Sequence, residues 1–136
     1  MDAARESLFS AGRVARLATT RPDGSPHLVP VVFALVGDVV WTAVDRKPKT
    51  TTALRRLANI GQDSRVSLLV DHYADDWEEL WWVRVDGTAE VLDPSSPTAR
   101  VGVEALSGKY PQYLDLPPDG PVIRVHAYRW ASWHAR

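Results

Sequence analysis

Hydrophobic and polar positions alternate along this chain with two periods, one of strands and one of helices. Asp2 to Ala11 reads as a short helix that Gly12 ends. Val14 to Thr20 reads as a first strand, and Arg21-Pro22-Asp23-Gly24 as the tight turn after it. Proline presets φ there and glycine accepts a positive one. His27 to Val36 is almost wholly apolar, the pattern of a return strand buried on both faces. Pro30 inside it has no N–H for a ladder and so marks an edge or a bulge. Gly37-Asp38 turns the chain into a third strand, Val39 to Val44.

From Pro48 the period changes. Ala53, Leu54, Leu57 and Ala58 fall on one face of a helix of about three turns, closed by Asn59 and Gly61. Val66 to Val70 is a fourth strand, and the acidic stretch Asp71 to Glu79 reads as a loop. In a fifth strand Trp81, Val83, Val85, Ala89 and Val91 take one face, and Trp82, Arg84, Asp86, Thr88 and Glu90 the other. Pro94-Ser95-Ser96-Pro97 opens a helix through Leu106 that Gly108 ends, and Val122 to Trp133 is the last strand. Six strands in hairpins with short flanking helices predict a mainly β (α+β) antiparallel barrel, one domain over residues 1–136.

Composition removes several function classes. The chain has 136 residues and no cysteine, which excludes a disulfide framework, thiolate metal ligation and a Cys nucleophile. The four histidines never stand at ligand spacing, so no metal site is expected. Phosphate-loop and nucleophile-elbow signatures are missing too. The first residues lack an apolar signal core, and no apolar run approaches the ~18 residues of a membrane span. A cytoplasmic protein without membrane or nucleic-acid partners is the expectation. A net charge of −1 hides an asymmetry. Residues 1–68 hold ten basic and six acidic side chains, residues 69–136 six and eleven.

The basic half concentrates at one place. In Asp45-Arg46-Lys47-Pro48-Lys49-Thr50-Thr51-Thr52, three cations crowd the start of a helix, with Arg55 and Arg56 one to two turns on. A helix N-terminus already carries about half a positive charge. The arrangement suits a start that holds an anion, where N–H groups, Thr hydroxyls and ammoniums make a phosphate cradle. Only three lysines occur in the whole chain, and two of them are here. A solvated basic turn is the plainer alternative. Of the six Trp residues, Trp41 and Trp81 suit core packing, while Trp82 and Trp130 lie on the more polar faces and suit an interface or a ligand ring. Apolar strands beside a phosphate cradle suggest a cofactor with a planar ring and a phosphate tail.

Ala15-Arg16-Leu17-Ala18-Thr19-Thr20, Pro22-Asp23-Gly24-Ser25-Pro26-His27, Pro30-Val31-Val32-Phe33 and the Lys47-Pro48-Lys49 turn together resemble the pyridoxamine 5′-phosphate oxidase-like split β-barrel superfamily. Residues Trp82 to Val91, Lys109-Tyr110-Pro111-Gln112-Tyr113 and Trp133 are similar to its actinobacterial branch of F420-dependent enzymes. The resemblance runs from about residue 5 to the C-terminus. It implies a six-stranded split barrel, a homodimer with two cofactor sites at the subunit interface, and a small-molecule substrate. It points to Lys47 and Lys49 for the cofactor phosphate, with Thr42, Arg46, Pro48, Thr50 and Arg55 nearby. Val31, Val32 and Phe33 would lie along the ring, and Trp82, Arg84 and Trp133 would close the site from the partner chain. F420 and FMN are both used in this superfamily; five basic residues between Arg46 and Arg56 favour F420, whose tail is richer in carboxylates. An oxidoreductase is the reading, with no catalytic residue named. A non-catalytic cofactor carrier and an OB-like binder of single-stranded nucleic acid are the alternatives.

Overall fold

The turn after the first strand forms as its residues dictate. Gly24 has a φ of 87°, which glycine adopts without strain. Its N–H bonds the Arg21 carbonyl at 2.9 Å, and the Asp23 carboxylate accepts the Ser25 N–H at 2.9 Å. The structure, a computed structural model, describes residues 3–44 and 51–135. Helix α1 (Ala3–Ala11) precedes the hairpin of β1 (Ala15–Thr20) and β2 (Pro26–Val31). A second hairpin, β3 (Ala34–Val36) and β4 (Val39–Ala43), leads to α2 (Thr51–Gln62) and β5 (Arg65–His72). A 3₁₀ turn (Trp77–Glu79), β6 (Trp81–Leu92), α3 (Pro97–Lys109), α4 (Gln112–Asp115) and β7 (Val122–His134) complete the order.

The sheet has seven strands, not the six expected, because His27 to Val36 divides. β2 pairs with β1 and β3 with β4, both antiparallel. Between them, Phe33 gives its N–H to the Tyr110 hydroxyl at 3.2 Å, and that hydroxyl also lies 3.1 Å from the Phe33 carbonyl. A side chain thus accepts the N–H that a ladder would have used, while its one proton is within reach of the Arg13 carbonyl at 2.9 Å as well as that of Phe33. Burial on both faces is corrected as well. β2 alternates, with His27 and Val31 inward and Leu28 65% exposed. Pro30 does sit on an edge strand, where a missing N–H costs nothing.

The strand order is β2-β1-β5-β6-β7-β4-β3. The two outermost strands are joined through Val32 and Phe33 alone, so their ends lie within about 10 Å. The sheet must therefore curl into a barrel, with an unpaired seam between β2 and β3. Leu17, Leu68, Val85 and Val125 fill it, Phe9 of α1 and Ile60 of α2 plug it, and Trp81 packs against it half-buried. A second apolar cluster sits outside, where Trp41 and Val122 meet Ala99 and Leu106 of α3. A Cβ at Gly102 of α3 would come within 2.3 Å of the Trp41 ring, so glycine sets that close approach.

Local differences have local causes. Ser96 caps α3 by accepting the Ala99 N–H at 3.1 Å, but the helix passes through Gly108 to Lys109. Gly108 is exposed, which makes its helical cost small against the packing of the turns before it. The acidic stretch read as a loop is strand to His72, and Asp76 then caps the 3₁₀ turn. Between β6 and β7 the register steps from Asp86↔Arg129 to Gly87↔Ala127, which leaves Tyr128 as a bulge. The bulge shifts inward parity from Ile123, Val125 and Ala127 to Trp130. Trp130 therefore packs edge-on against Phe9 at 5.4 Å and faces the core, not a ligand. No helix among the described residues is long and apolar enough to cross a membrane.

Candidate functional site

Register brings three rows of side chains together on the outer face of the sheet. Leu28, Ala18, Ser67, Asp86 and Arg129 form one row across five strands. Pro30, Arg16, Leu69, Arg84 and Ala131 form the next, and Asp71, Trp82 and Trp133 a third. Trp133, some fifty residues further along the chain, is thus brought beside Trp82 and Arg84, with Trp82 and Trp133 directly opposed. A groove of about 460 Å³ lies over β1, β5 and β6, lined by Arg16, Leu28, Leu69, Asp71, Tyr73, Trp82 and Arg84 with the small Ala18 and Ser67. Sequence reasoning named Trp82 and Arg84 and missed the rest. Arg16 and Leu69 were legible only as members of strands, and Asp71 stood in the stretch read as a loop.

Asp86 organises the charges beside this groove. Its Oδ1 accepts the Ser67 hydroxyl at 2.7 Å and the Arg84 Nε at 3.1 Å, and its Oδ2 accepts the Arg129 Nε at 2.8 Å. Burial pushes this carboxyl up, but those hydrogen bonds and the Arg84 and Arg129 charges outweigh it and hold it below the ordinary range. Arg84 also lies 5.8 Å over the Trp82 ring. Arg16 and Asp71 stand 3.7 Å apart and exposed, a weak pair in water.

The strand residues expected along a cofactor ring sit differently from one another. Val31 and Phe33 point into the barrel core, while Val32 is half-buried against the outer cluster. Thr42 is buried and donates its hydroxyl to the Val32 carbonyl at 2.7 Å, fixing the segment between the two hairpins. Lys109 reaches the same segment from α3. Its Nζ lies 3.7 Å from the centroid of the Phe33 ring and has no hydrogen-bond partner. Burial, with the Arg13 charge adding, brings its pKa down from 10.5 to about 8. The unfolded chain therefore holds more protons than the folded one between about pH 8 and 10.5, and stability gains with pH across that window. Lys109→Met is expected to be more stable than the parent at pH 7, with the gap closing by pH 10. Thermal melts of both proteins across that range check this, and a gap independent of pH would refute it.

Of the basic cluster, Arg46, Lys47, Pro48, Lys49 and Thr50 lie outside the described residues. Arg55 is exposed on α2, and Arg56 beside it is partly buried. The first turn of α2 holds no acidic residue. His27, buried on β2, feels this end of the molecule. Burial first, then the charges of Arg21, Arg56 and Arg55, lower its pKa. The charges of Arg55 and Arg56 on α2 and of Arg21 in the first hairpin thus all act on His27.

Comparison with known proteins places this geometry. The family model described as pyridoxamine 5′-phosphate oxidase matches residues 1–134. Among solved structures, the conserved hypothetical protein Rv2991 from Mycobacterium tuberculosis superposes with a TM-score of 0.76 at 28% identity, over 100% of this chain and 86% of that one. A FAD-binding protein from Mesorhizobium loti gives 0.73 at 21% identity, over 97% and 94% of the two chains. An F420 reductase gives 0.69 at 24% identity, over 96% and 98%. The last two likenesses show the shared fold. No curated protein matches the sequence.

Proposed function

The chain belongs to the pyridoxamine 5′-phosphate oxidase family, and from that premise we propose an F420-dependent oxidoreductase, of the actinobacterial branch, that reduces a small organic acceptor in the cytoplasm. The observation that carries this reading is the cluster of positive charge around α2: a first turn without acids, and the charges of Arg21, Arg56 and Arg55 all acting on His27. Such a field suits a cofactor with a phosphate and an acidic tail. FMN needs one phosphate neutralised; F420 needs its carboxylates neutralised as well. In this reading Arg46, Lys47 and Lys49, with Pro48 and Thr50, receive the phosphate, and Arg55 meets the tail. Thr42 holds the Val32 backbone in place beside them. Two copies pair, and Trp82, Arg84 and Trp133 of each close the cofactor site of the other.

When bound, the reduced deazaflavin supplies the hydride. The work left to the chain is to orient the ring, neutralise the tail and keep water out, which requires no acid–base pair of the protein's own. The neighbours described as an F420 reductase and a FAD-binding protein support a ring cofactor on this fold. Titration of the purified protein with F420 and with FMN, followed by Trp fluorescence and cofactor absorbance, tests the reading. Micromolar binding of F420, tighter than of FMN, is expected. Failure of both to bind would remove the reading, and tighter FMN would move it to flavin chemistry. Binding without turnover of any acceptor would make the protein a carrier. A monomer in light scattering would rule out an interface site.

A further inference from the structure

We propose that the groove on the outer face of β1, β5 and β6 is a binding site for a planar aromatic monoanion, an aromatic carboxylate in chemical class. Its shape comes from the sheet. Leu28 on β2 and Leu69 on β5 flank β1 as an apolar floor, and Trp82 and Tyr73 supply aromatic walls. A volume of about 460 Å³ falls in the range of small-molecule sites and has room for one or two fused rings. A flat, aromatic-walled space of this kind favours a ring that stacks, with Trp82 as the stacking partner.

Charge then selects the ligand's sign. Of the charged side chains that line the groove, Arg16 and Arg84 are positive and Asp71 is negative, so one positive charge is in excess. Asp86 is 5% exposed and fully committed to Ser67, Arg84 and Arg129, which makes it a fixed anchor and not a competitor for solvent cations. It takes the Nε of Arg84 and so orients the guanidinium beside the Trp82 ring. Arg84 lines the groove with its Nε taken by Asp86, and the terminal nitrogens of a guanidinium are the pair that a carboxylate accepts with two oxygens. One net charge matches a monoanion better than a phosphate dianion. That this ligand is the acceptor reduced beside the partner subunit's cofactor rests on the function proposed above; its binding in the groove does not.

The test uses 2-naphthoate and its neutral isostere 2-naphthamide, titrated against the full chain without cofactor and followed by Trp fluorescence. Naphthoate is expected to bind saturably and the amide at least tenfold more weakly. Arg84→Met is expected to weaken naphthoate ten- to a hundredfold, the scale of a lost charge-assisted pair, and to leave the amide unchanged. Arg100→Met, on the exposed face of α3 away from the groove, should change neither. If the Arg84 variant fails to fold, Leu28→Glu on the exposed edge strand serves instead, and should abolish naphthoate binding by like charge. Equal affinity for acid and amide, no saturation at millimolar naphthoate, or full affinity in a folded variant would overturn the proposal. The two readings fail separately. Naphthoate binding without F420 binding removes only the cofactor reading, and F420 binding without naphthoate binding removes only the groove.

Discussion

Replacing Lys47 and Lys49 together by alanine is expected to weaken cofactor binding a hundred- to ten-thousandfold and to leave the melting temperature nearly unchanged. Each ammonium on a phosphate makes charge-assisted hydrogen bonds of about 1.5–3 kcal/mol. Two such losses total about 3–6 kcal/mol, and each 1.4 kcal/mol is a factor of ten. Stability should not suffer, because removing cations from the start of a helix relieves repulsion with its dipole. A rise of a few tenths of a kcal/mol is the expected sign. Parallel cofactor titrations and thermal melts of the double variant check both halves. Affinity within threefold of the parent would move the phosphate away from this turn. A similar Arg55→Ala loss for F420 with none for FMN would assign Arg55 to the acidic tail, since only F420 extends there.

What the sequence made legible was what neighbouring residues decide among themselves. Pro22-Asp23-Gly24 forms its turn from its own φ preferences and from the Asp23 carboxylate, which accepts the N–H of Ser25 two residues on. Alternation in β6 put Val83 and Val85 inside and Trp82 and Arg84 outside, as the pleat requires. The break at Val32-Phe33 was not legible, because its cause is the Tyr110 hydroxyl, 77 residues further along. Trp130 was misjudged because a bulge at Tyr128 reverses parity, and nothing beside it in sequence announces an extra residue.

The candidate site divides in the same way. The basic cluster before α2 is readable as charge against a helix dipole, which is a property of adjacent residues. The groove was not readable, because its rows exist only once β1, β5, β6 and β7 are in register. Lysine scarcity is informative at both ends. Two of the three lysines stand in the basic segment Arg46 to Thr50, and the third, Lys109, is held over an aromatic ring with its pKa brought down to about 8.

Phe33→Ala separates core from ligand contact at the position where the two readings meet. The ring is 0% exposed, packs 4.9 Å from Phe9, and carries the Lys109 ammonium on its face. Deleting it leaves a cavity that α1 and the barrel wall fill only partly, so a loss of about 3–5 kcal/mol is expected. For a domain of this length that corresponds to a fall of roughly 10–20 °C in melting temperature. The amine of Lys109 loses the nearer of its two aromatic rings in the same step and keeps Tyr110 at 5.3 Å. Cofactor affinity, measured well below the new melting point, should stay within about threefold, because the side chain points into the barrel and its backbone groups are held by Tyr110. A melting temperature equal to the parent's would mean the ring is not part of the core. A folded variant that loses cofactor affinity tenfold or more would place Phe33 against the ring, as the resemblance of its strand implies, and would require the β2–β3 crossing to open when the cofactor binds.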